Sequence, residues 1–495
     1  MIADAFTALG FSEFDANSGK ICIVNTLPWS RPQHLPIPAS STSSTCAETT
    51  AWTAGTYGVS EITTPNKPST PSVTVKETHS DVFLLENSQF SITITSGVIT
   101  SLYDKSADRE IIPSGAAANQ LVIFDDKPLN WQAWDVEIYH LSSRQVLKPG
   151  KTTITVETDT LCSVTTETKI SEKSSILTTV SLRAPSSNST TKSQPILPIE
   201  ITADVTWHED KKFLKVEFPV DIRNTSASYE TQYGIIQRPT HYNTTWDHAK
   251  FEVVCHKWAD LSEAGYGVSI LNDCKYGFAT QGNVMRLSLL RSPKAPDEFA
   301  DMGRHVFRYA ILPHQGSLDA RTVRAARELN NPLSMAGSSS SDNNGLETEK
   351  VKGEADRALF PYTKLTSYLC LHPDISRIAP LMASIRMSED SNPAIILDTV
   401  KRGEDDEDVS RGELPVRKGK SVIVRLYDSL GGRCRGKVEL GELANSVMGK
   451  GSKGIRKVEK CNILEDDGEE VEVKDGGFEV ELGPFEVGTW RIVLA

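Results

Sequence analysis

Apolar and polar residues alternate with a period of two along most of this chain, the spacing of strands that bury one face and wet the other. The segment FSITITSGVITSLYDKSADREII predicts a hairpin, with one strand from Phe90 to Thr95, a Ser96-Gly97 turn, and a second strand from Val98 to Tyr103. TTITVETDTLCSVTTETKISEKSSILTTVSLR continues as a Thr/Val-rich meander, whose β-branched side chains suit a pleated, half-buried surface. EITADVTWHEDKKFLKVEFPVDI predicts another hairpin, turning at His208 to Lys211. One segment has helical spacing instead. SLDARTVRAARELNNP places Leu318, Val323, Ala326 and Leu329 on one face, with Ser317 as the N-cap and Asn331-Pro332 as the stop.

Beyond that helix, MAGSSSSDNNGLETEKVKGEAD is too polar to offset its ordering entropy and reads as a flexible linker. KSVIVRLYDSLGGRCRGKVEL, turning at Gly431-Gly432, and GFEVELGPFEVGTWRIVLA predict four further strands and a terminal β-sandwich. Near the start, KICIVNTLPWSRPQHLPIP is one strand entering a Pro-rich loop, and Ser40 to Thr74 is dominated by Ser, Thr, Pro and Gly. The expected fold class is mainly β, with a small β domain and Pro/Ser-rich linker over 20–74, a large β-sandwich over 75–334, a linker over 335–356 and a C-terminal β-sandwich over 357–495. No internal repeat of fixed period is visible.

Composition narrows the partners. At 495 residues, 38% apolar and a formal charge of −12, the chain suits a globular protein of roughly three domains and disfavours nucleic acid or an anionic membrane as partner. No run of about twenty apolar residues predicts a spanning helix. The first twenty residues lack the basic and long apolar regions of a secretory signal, which points to the cytosol or to a fragment, and the sequons at Asn188, Asn224 and Asn243 are expected to stay unmodified. Eight scattered cysteines without C-x-x-C predict buried thiols rather than disulfides.

Candidate chemistry comes next. His241, His248 and Cys255 recur at seven-residue separations with His256 beside them, which is not the compact pairing that preorganises tetrahedral zinc, so hydrogen-bonded structural histidines are favoured. H-E-x-x-H, G-x-S-x-G, Walker and dinucleotide motifs are all missing. Sugar chemistry needs no short motif, only carboxylates at a fixed separation and aromatic faces. FDDKPLNWQAWDVEIYH gathers Asp125, Asp126, Asp135 and Glu137 with Trp131, Trp134 and Tyr139; in a strand, Asp135 and Glu137 would share a face. The plainer reading puts the acids at loop ends and the tryptophans in the core. A second cluster runs from Arg238 and His241 through Trp246, Asp247, Lys250 and Glu252 into a strand expected over Phe251 to Cys255; such dense charge usually forms a satisfied network holding a loop.

ETQYGIIQRPTHYNTTWDHAKFEVVCHKWADLSEAGYGVSILNDCKYGF, followed by MRLSLLRSPKAPD and ADMGRHVFRYAILPH, resembles the C-terminal half of glycoside hydrolase family 38, the class II α-mannosidases, and within it the cytosolic/vacuolar branch. The likeness continues in LLENSQFSITIT, NQLVIFDDKPLNWQAWDVEIYH, IVNTLPWSRP, VIVRLYDSLGG and PFEVGTWRIVL, so it spans nearly the whole chain. It departs from the branch pattern at Asn130 and Gln132, where Tyr and Asp are usual.

The resemblance implies a large β-sandwich of the galactose-mutarotase-like supersandwich kind and retaining hydrolysis of α-mannosides. In that family a preceding α/β barrel-like domain supplies the nucleophile, the acid/base carboxylate and the zinc ligands. No catalytic residue, metal ligand or cofactor is therefore carried over to this chain, and residues 1–19 read as the remnant of a helical connection to that domain. Zinc or another divalent metal is implied for the full-length enzyme only. The carry-over is a substrate-side role for Arg238, His241, Trp246, Asp247, Arg291, Trp131, Trp134 and Asp135. Implied partners are α-mannoside glycans and the N-terminal catalytic domain, in cytoplasm or vacuole, with homo-oligomerisation left open. Two alternatives stand beside this: a non-catalytic carbohydrate-binding or structural β module from a truncated gene, and independent hydrolysis by Asp135 and Glu137.

Overall fold

The computed structural model describes residues 21–29, 31–33, 72–185, 197–336, 385–404, 421–441, 455–466 and 468–494, together with short strands at 36–37, 47–48, 52–54 and 59–62. Three antiparallel sheets of five, six and nine strands share one large core. The Phe90–Thr95 strand pairs with Val98–Asp104 as expected, and Phe90, Ile92 and Ile94 point into that core. Its turn works because Ser96 and Gly97 both take positive φ, 48° and 80°; a Cβ at Gly97 would lie 2.6 Å from Pro149 and Thr166. The Thr/Val-rich meander forms three successive strands of the nine-stranded sheet, from Thr152–Glu157 to Ser175–Arg183, and Ile199–Trp207 follows as the fourth.

One expected hairpin is overturned. Ile199–Trp207 pairs within the nine-stranded sheet, whereas Lys212–Pro219 pairs with Gln120–Asp125 and Val284–Arg291 in the six-stranded sheet. The residues at 208–211 therefore cross between sheets. Period-two alternation cannot tell the two arrangements apart, because each strand turns one face to the same core. The crossing is pinned from the six-stranded side: Lys211, at φ 50°, donates its N–H to the Ser292 carbonyl at 2.9 Å, and the Trp207 indole donates to the Arg291 carbonyl at 3.2 Å.

The C-terminal part repeats this device. Strands Ser421–Asp428 and Val487–Leu494 belong to a five-stranded sheet, while Cys434–Glu439 and Gly477–Leu482 belong to a three-stranded one, with an apolar core containing Val424, Leu426, Phe478 and Trp490. Both crossings are tied to the fully buried Asp428. Its carboxylate accepts the N–H groups of Gly431 at 2.7 Å, Gly432 at 2.9 Å and Phe485 at 2.9 Å.

The helix Ala320–Asn330 joins the two sandwiches. Its N-cap is Asp319, not Ser317: the Asp319 side chain accepts the Arg321 N–H at 2.8 Å, which satisfies a first-turn donor two residues later than expected. Val323, Ala326 and Leu329 pack on Trp258, Leu271 and Leu312 of the nine-stranded sheet and on Ile396 and Tyr427 of the C-terminal sandwich. Arg327 extends this contact by donating to Asp398 and, at 3.3 Å, to the Tyr427 hydroxyl. After the helix, Ser334–Ala336 pairs with Ile21–Val24, so Met335 and Ala336 are strand residues rather than linker. The expected connection over 1–19 and the remaining linker, 337–356, lie outside the described residues. Cys162, Cys255 and Cys434 are free buried thiols, whereas Cys274 is free and exposed.

Candidate functional site

The outer face of the six-stranded sheet carries buried charge. In Lys212–Pro219, alternation sends Leu214, Val216 and Phe218 into the main core and Phe213, Lys215 and Glu217 to the other side. That other side is roofed, not wet. Lys215 is 0% exposed and Glu217 4%, and Phe213 forms a small cluster with Val122 and Phe124 under Val136 and Leu141. Burying charge requires partners, and the roof supplies some of them. Glu252 receives the Lys215 Nζ at 2.5 Å and the Ser288 hydroxyl, while Glu217 receives Arg144 Nη2 at 2.5 Å and Arg286 Nε at 2.7 Å. Burial lowers the Lys215 pKa, opposed chiefly by Glu252. Burial also pushes the Glu217 carboxyl up, but Arg144 and Arg286 outweigh it and hold it below the usual carboxylate range.

Two loops form the roof. The first runs over 126–144 and contains Trp131, Trp134 and Asp135; these residues form turns leading to a short 3-10 helix, Ile138–Ser143, so Asp135 and Glu137 do not share a strand face as expected. Arg291 holds this loop. Its guanidinium donates to both oxygens of buried Asp126, Nε at 2.7 Å and Nη2 at 3.0 Å, and Nη2 also donates to the carbonyls of Gln132 at 3.0 Å and Asp135 at 2.7 Å. Arg291 thus meets four acceptors from the chain and positions the loop. The Gln132 side chain accepts the Lys294 N–H at 3.0 Å, tying the loop to the segment after Arg291. Trp131 is held at φ 51° and stands edge-on to Trp134 with centroids 6.0 Å apart. The expectation that these tryptophans fill the core is wrong, since they are 69% and 67% exposed.

The second loop leads from the strand Gly234–Pro239 to the two-residue strand Val253–Val254, shorter than the expected Phe251 to Cys255. It contains the short helix Thr245–His248, opened by a capping box in which the Asp247 carboxylate accepts the Thr244 N–H at 3.2 Å and Thr244 Oγ1 accepts the Asp247 N–H at 3.1 Å. Asp247 therefore shapes the loop, and His241 Nδ1 lies 3.7 Å from its carboxylate. Trp246 on this helix is 80% exposed. Arg238, half-buried at the loop's entry, has a buried Nε–H that meets no acceptor among the described residues.

The loops meet over Phe213. His140 of the first lies 6.1 Å from Phe251 of the second and 5.6 Å from Phe213, whose ring also faces Lys215 Nζ at 4.1 Å and Arg291 Cζ at 5.5 Å. His140 Nδ1–H donates to the Glu137 carbonyl at 2.7 Å; burial and then the neighbouring Lys215 depress its pKa to about 4, so the ring is neutral at pH 7. Lys215 and His140 were not among the residues singled out from sequence. The phase of alternation in KFLKVEF was the available signal for Lys215.

Histidines and cysteine at 241–256 do not assemble a metal site. Cys255 is buried, His248 packs on Tyr242 and His256 on Tyr276, and no three His, Cys, Asp or Glu residues among those described come together to hold an ion. The donor set present does not fit zinc.

Residues 85–299, which include both tryptophan loops and their anchors, match the glycosyl hydrolases family 38 C-terminal domain. Residues 394–490 match the family's C-terminal beta sandwich domain. The chain belongs to the C-terminal region of glycosyl hydrolase family 38. It is 40% identical to an alpha-mannosidase of Saccharomyces cerevisiae over 84% of this chain and 35% of the relative. It is 35% identical to human alpha-mannosidase 2C1 over 96% of this chain and 40% of the relative. The chain thus spans well under half the length of these family members. A solved alpha-mannosidase from Enterococcus faecalis shares the fold, with a TM-score of 0.61 at 12% identity over 96% of this chain and 56% of that one.

Proposed function

We propose that the roofed face of the six-stranded sheet is the substrate-side wall of an α-mannosidase cleft, and that the reactive carboxylates and zinc of the full-length enzyme come from the family's N-terminal catalytic domain. One observation carries the reading: three exposed tryptophans, Trp131, Trp134 and Trp246, stand on two loops anchored by charges buried beneath them. Exposed aromatics are costly in water unless a partner covers them, and their faces suit the C–H surface of a pyranose. Arg238 supports it, because its unmatched Nε–H would donate to a ligand or partner oxygen. Arg291 and Asp247 act on substrate through the loops they hold; Trp131, Trp134, Trp246, His241, Arg238 and Asp135 are the contact candidates. The chain is proposed to divide as expected from its pattern, with the wall in the large sandwich over 75–334, and to act on mannose glycans in cytoplasm or vacuole. No helix among the described residues is long and apolar enough to cross a membrane.

The test mixes this chain with the family's N-terminal domain and a divalent metal and follows hydrolysis of an aryl α-mannoside. A cleft wall requires that Trp131→Ala and Trp246→Ala raise KM with kcat nearly held, since they would remove binding shared by ground and transition states. Hydrolysis by this chain alone, without the domain or metal, would refute the assignment.

A further inference from the structure

A cavity of about 330 Å3 lies where the Ala320–Asn330 helix ends beside the nine-stranded sheet, lined by His256, Lys257, Asn272, Asp273, Tyr276 and Asn330. None of the six belongs to the tryptophan loops. Its size is at the lower end for small-molecule sites, enough for one or two pyranose rings. We propose that this cavity is a second carbohydrate site, recognising a neutral hexopyranose unit of a glycan.

Charge decides the ligand class first. Lys257 Nζ is paired with Glu230 at 3.2 Å, and Asp273 with Arg308 at 3.4 Å, so both charged side chains on the wall already have partners. A phosphate, carboxylate or metal ion would find no uncompensated opposite charge there. A neutral polyol has no such requirement.

The remaining groups match a polyol. The Asn272 amide is fixed by donating to the His256 carbonyl at 2.7 Å and accepting the Lys275 N–H at 2.7 Å. Asn330 is fixed by donating to the carbonyls of Asn272 and Ala326, each at 2.9 Å, which leaves its Oδ1 as an acceptor without a donor among the described residues. Tyr276 is 57% exposed and stands edge-on to the His256 ring at 5.5 Å, giving the cavity an aromatic flank. Imidazole, phenol and amide offer both donors and acceptors, as sugar hydroxyls do, and the tyrosine face suits the apolar side of a pyranose. Because the fixed side chains are bonded to backbone, little ordering remains for the ligand to bring about.

This site is independent of the cleft wall; only the choice of a mannoside as first probe rests on that reading. The experiment titrates the chain with methyl α-D-mannopyranoside, then the glucoside and galactoside, by saturation-transfer NMR. Tyr276→Ala is expected to weaken binding about tenfold, an aromatic anchor being the dominant loss, and Tyr276→Phe by less. The double variant Trp131→Ala/Trp246→Ala removes any contribution of the cleft wall, and in that background the cavity's own binding and its tenfold loss on Tyr276→Ala are expected to persist. Saturable binding whose affinity Tyr276→Ala leaves unchanged in the Trp131→Ala/Trp246→Ala background, or the absence of saturable binding with all three sugars, overturns the proposal. Binding abolished by the tryptophan double variant but not by Tyr276→Ala would do the same while supporting the cleft wall.

Discussion

The outer faces of the two large sheets are both polar in sequence and physically opposite. Over the meander, the nine-stranded sheet carries hydroxyl pairs across strands: Thr155 to Thr165 at 2.9 Å, Thr165 to Thr179 at 2.8 Å and Ser163 to Ser181 at 2.8 Å. Neutral hydroxyls satisfy one another along that run. The six-stranded sheet instead carries Lys215, Glu217 and Arg286 buried beneath loops, and the partner of Lys215 is a roof residue. A buried charge makes a loop's position a condition of the sheet's own stability. The difference separates a tolerant surface from one that dictates where its tryptophans stand.

The sharpest way to break the contrast is Glu252→Ala. It strands the Lys215 ammonium in a fully buried site, and removing one partner of such a pair costs about 3–5 kcal/mol. Urea unfolding measures the loss. The double variant Lys215→Met/Glu252→Leu should recover most of it, since an apolar pair of similar volume needs no counter-charge. A single-variant cost under about 1 kcal/mol, the range of exposed pairs, would show the roof to be ordinary surface.

Acid probes the same roof through His140. The folded-state pKa lies near 4, against 6.5 for the free side chain, so the unfolded chain binds a proton first as pH falls. The stability held by the neutral ring is therefore complete above pH 6.5 and declines toward pH 4, by about 3 kcal/mol in total. His140→Leu should flatten this part of the stability profile measured by denaturant titration. A residual acid loss should remain from Glu217, whose carboxyl is held low. On the other sheet the threonine pairs themselves add no acid step; the carboxylate beside them, Glu200 across from Ser181, is pushed up by burial but held low by Arg183 and Arg308 and titrates only on the acid side.

Arg291→Lys tests whether loop position is encoded from beneath. Lysine keeps the charge but loses the planar fork that meets both Asp126 oxygens and two carbonyls, at a cost of about 2 kcal/mol. Amide hydrogen exchange should accelerate over residues 129–137 and not in the Lys212–Pro219 strand. Uniform acceleration of both would mean that Arg291 supports the sheet rather than the loop.

These anchors also mark where sequence reading stops. Local features were legible: the alternation of Phe90, Ile92 and Ile94, the Ser96-Gly97 turn, and the helix face of Val323, Ala326 and Leu329 depend on neighbours within a few residues. The family was legible from long, composition-rich blocks. Sheet membership was not, because Trp207 and Lys212 alternate alike whether their strands pair or cross between layers. Nor was the shape of the 126–144 loop, set by an arginine more than 150 residues away; without it, Asp135 and Glu137 read as a strand pair. Apolarity misled for Trp131 and Trp134, since a hydrophobic side chain can stay exposed where its backbone is held by something else.

The smallest expected effect completes the comparison from the tolerant side. Thr165 sits midway in the hydroxyl run, bonded to Thr155 and Thr179 and only half-buried. Thr165→Val keeps the β-branched shape, and the two hydroxyls it deserts can turn to water, so the cost should stay within about 0.5 kcal/mol. The informative control is Ser288→Ala on the roofed face, which also deletes one hydroxyl but takes a donor from the Glu252 carboxylate where water has less access. If both variants unfold at the same urea concentration, burial is not what separates the faces. If Ser288→Ala alone shifts the midpoint, the roof, and not polarity as such, makes that side of the molecule exacting about sequence.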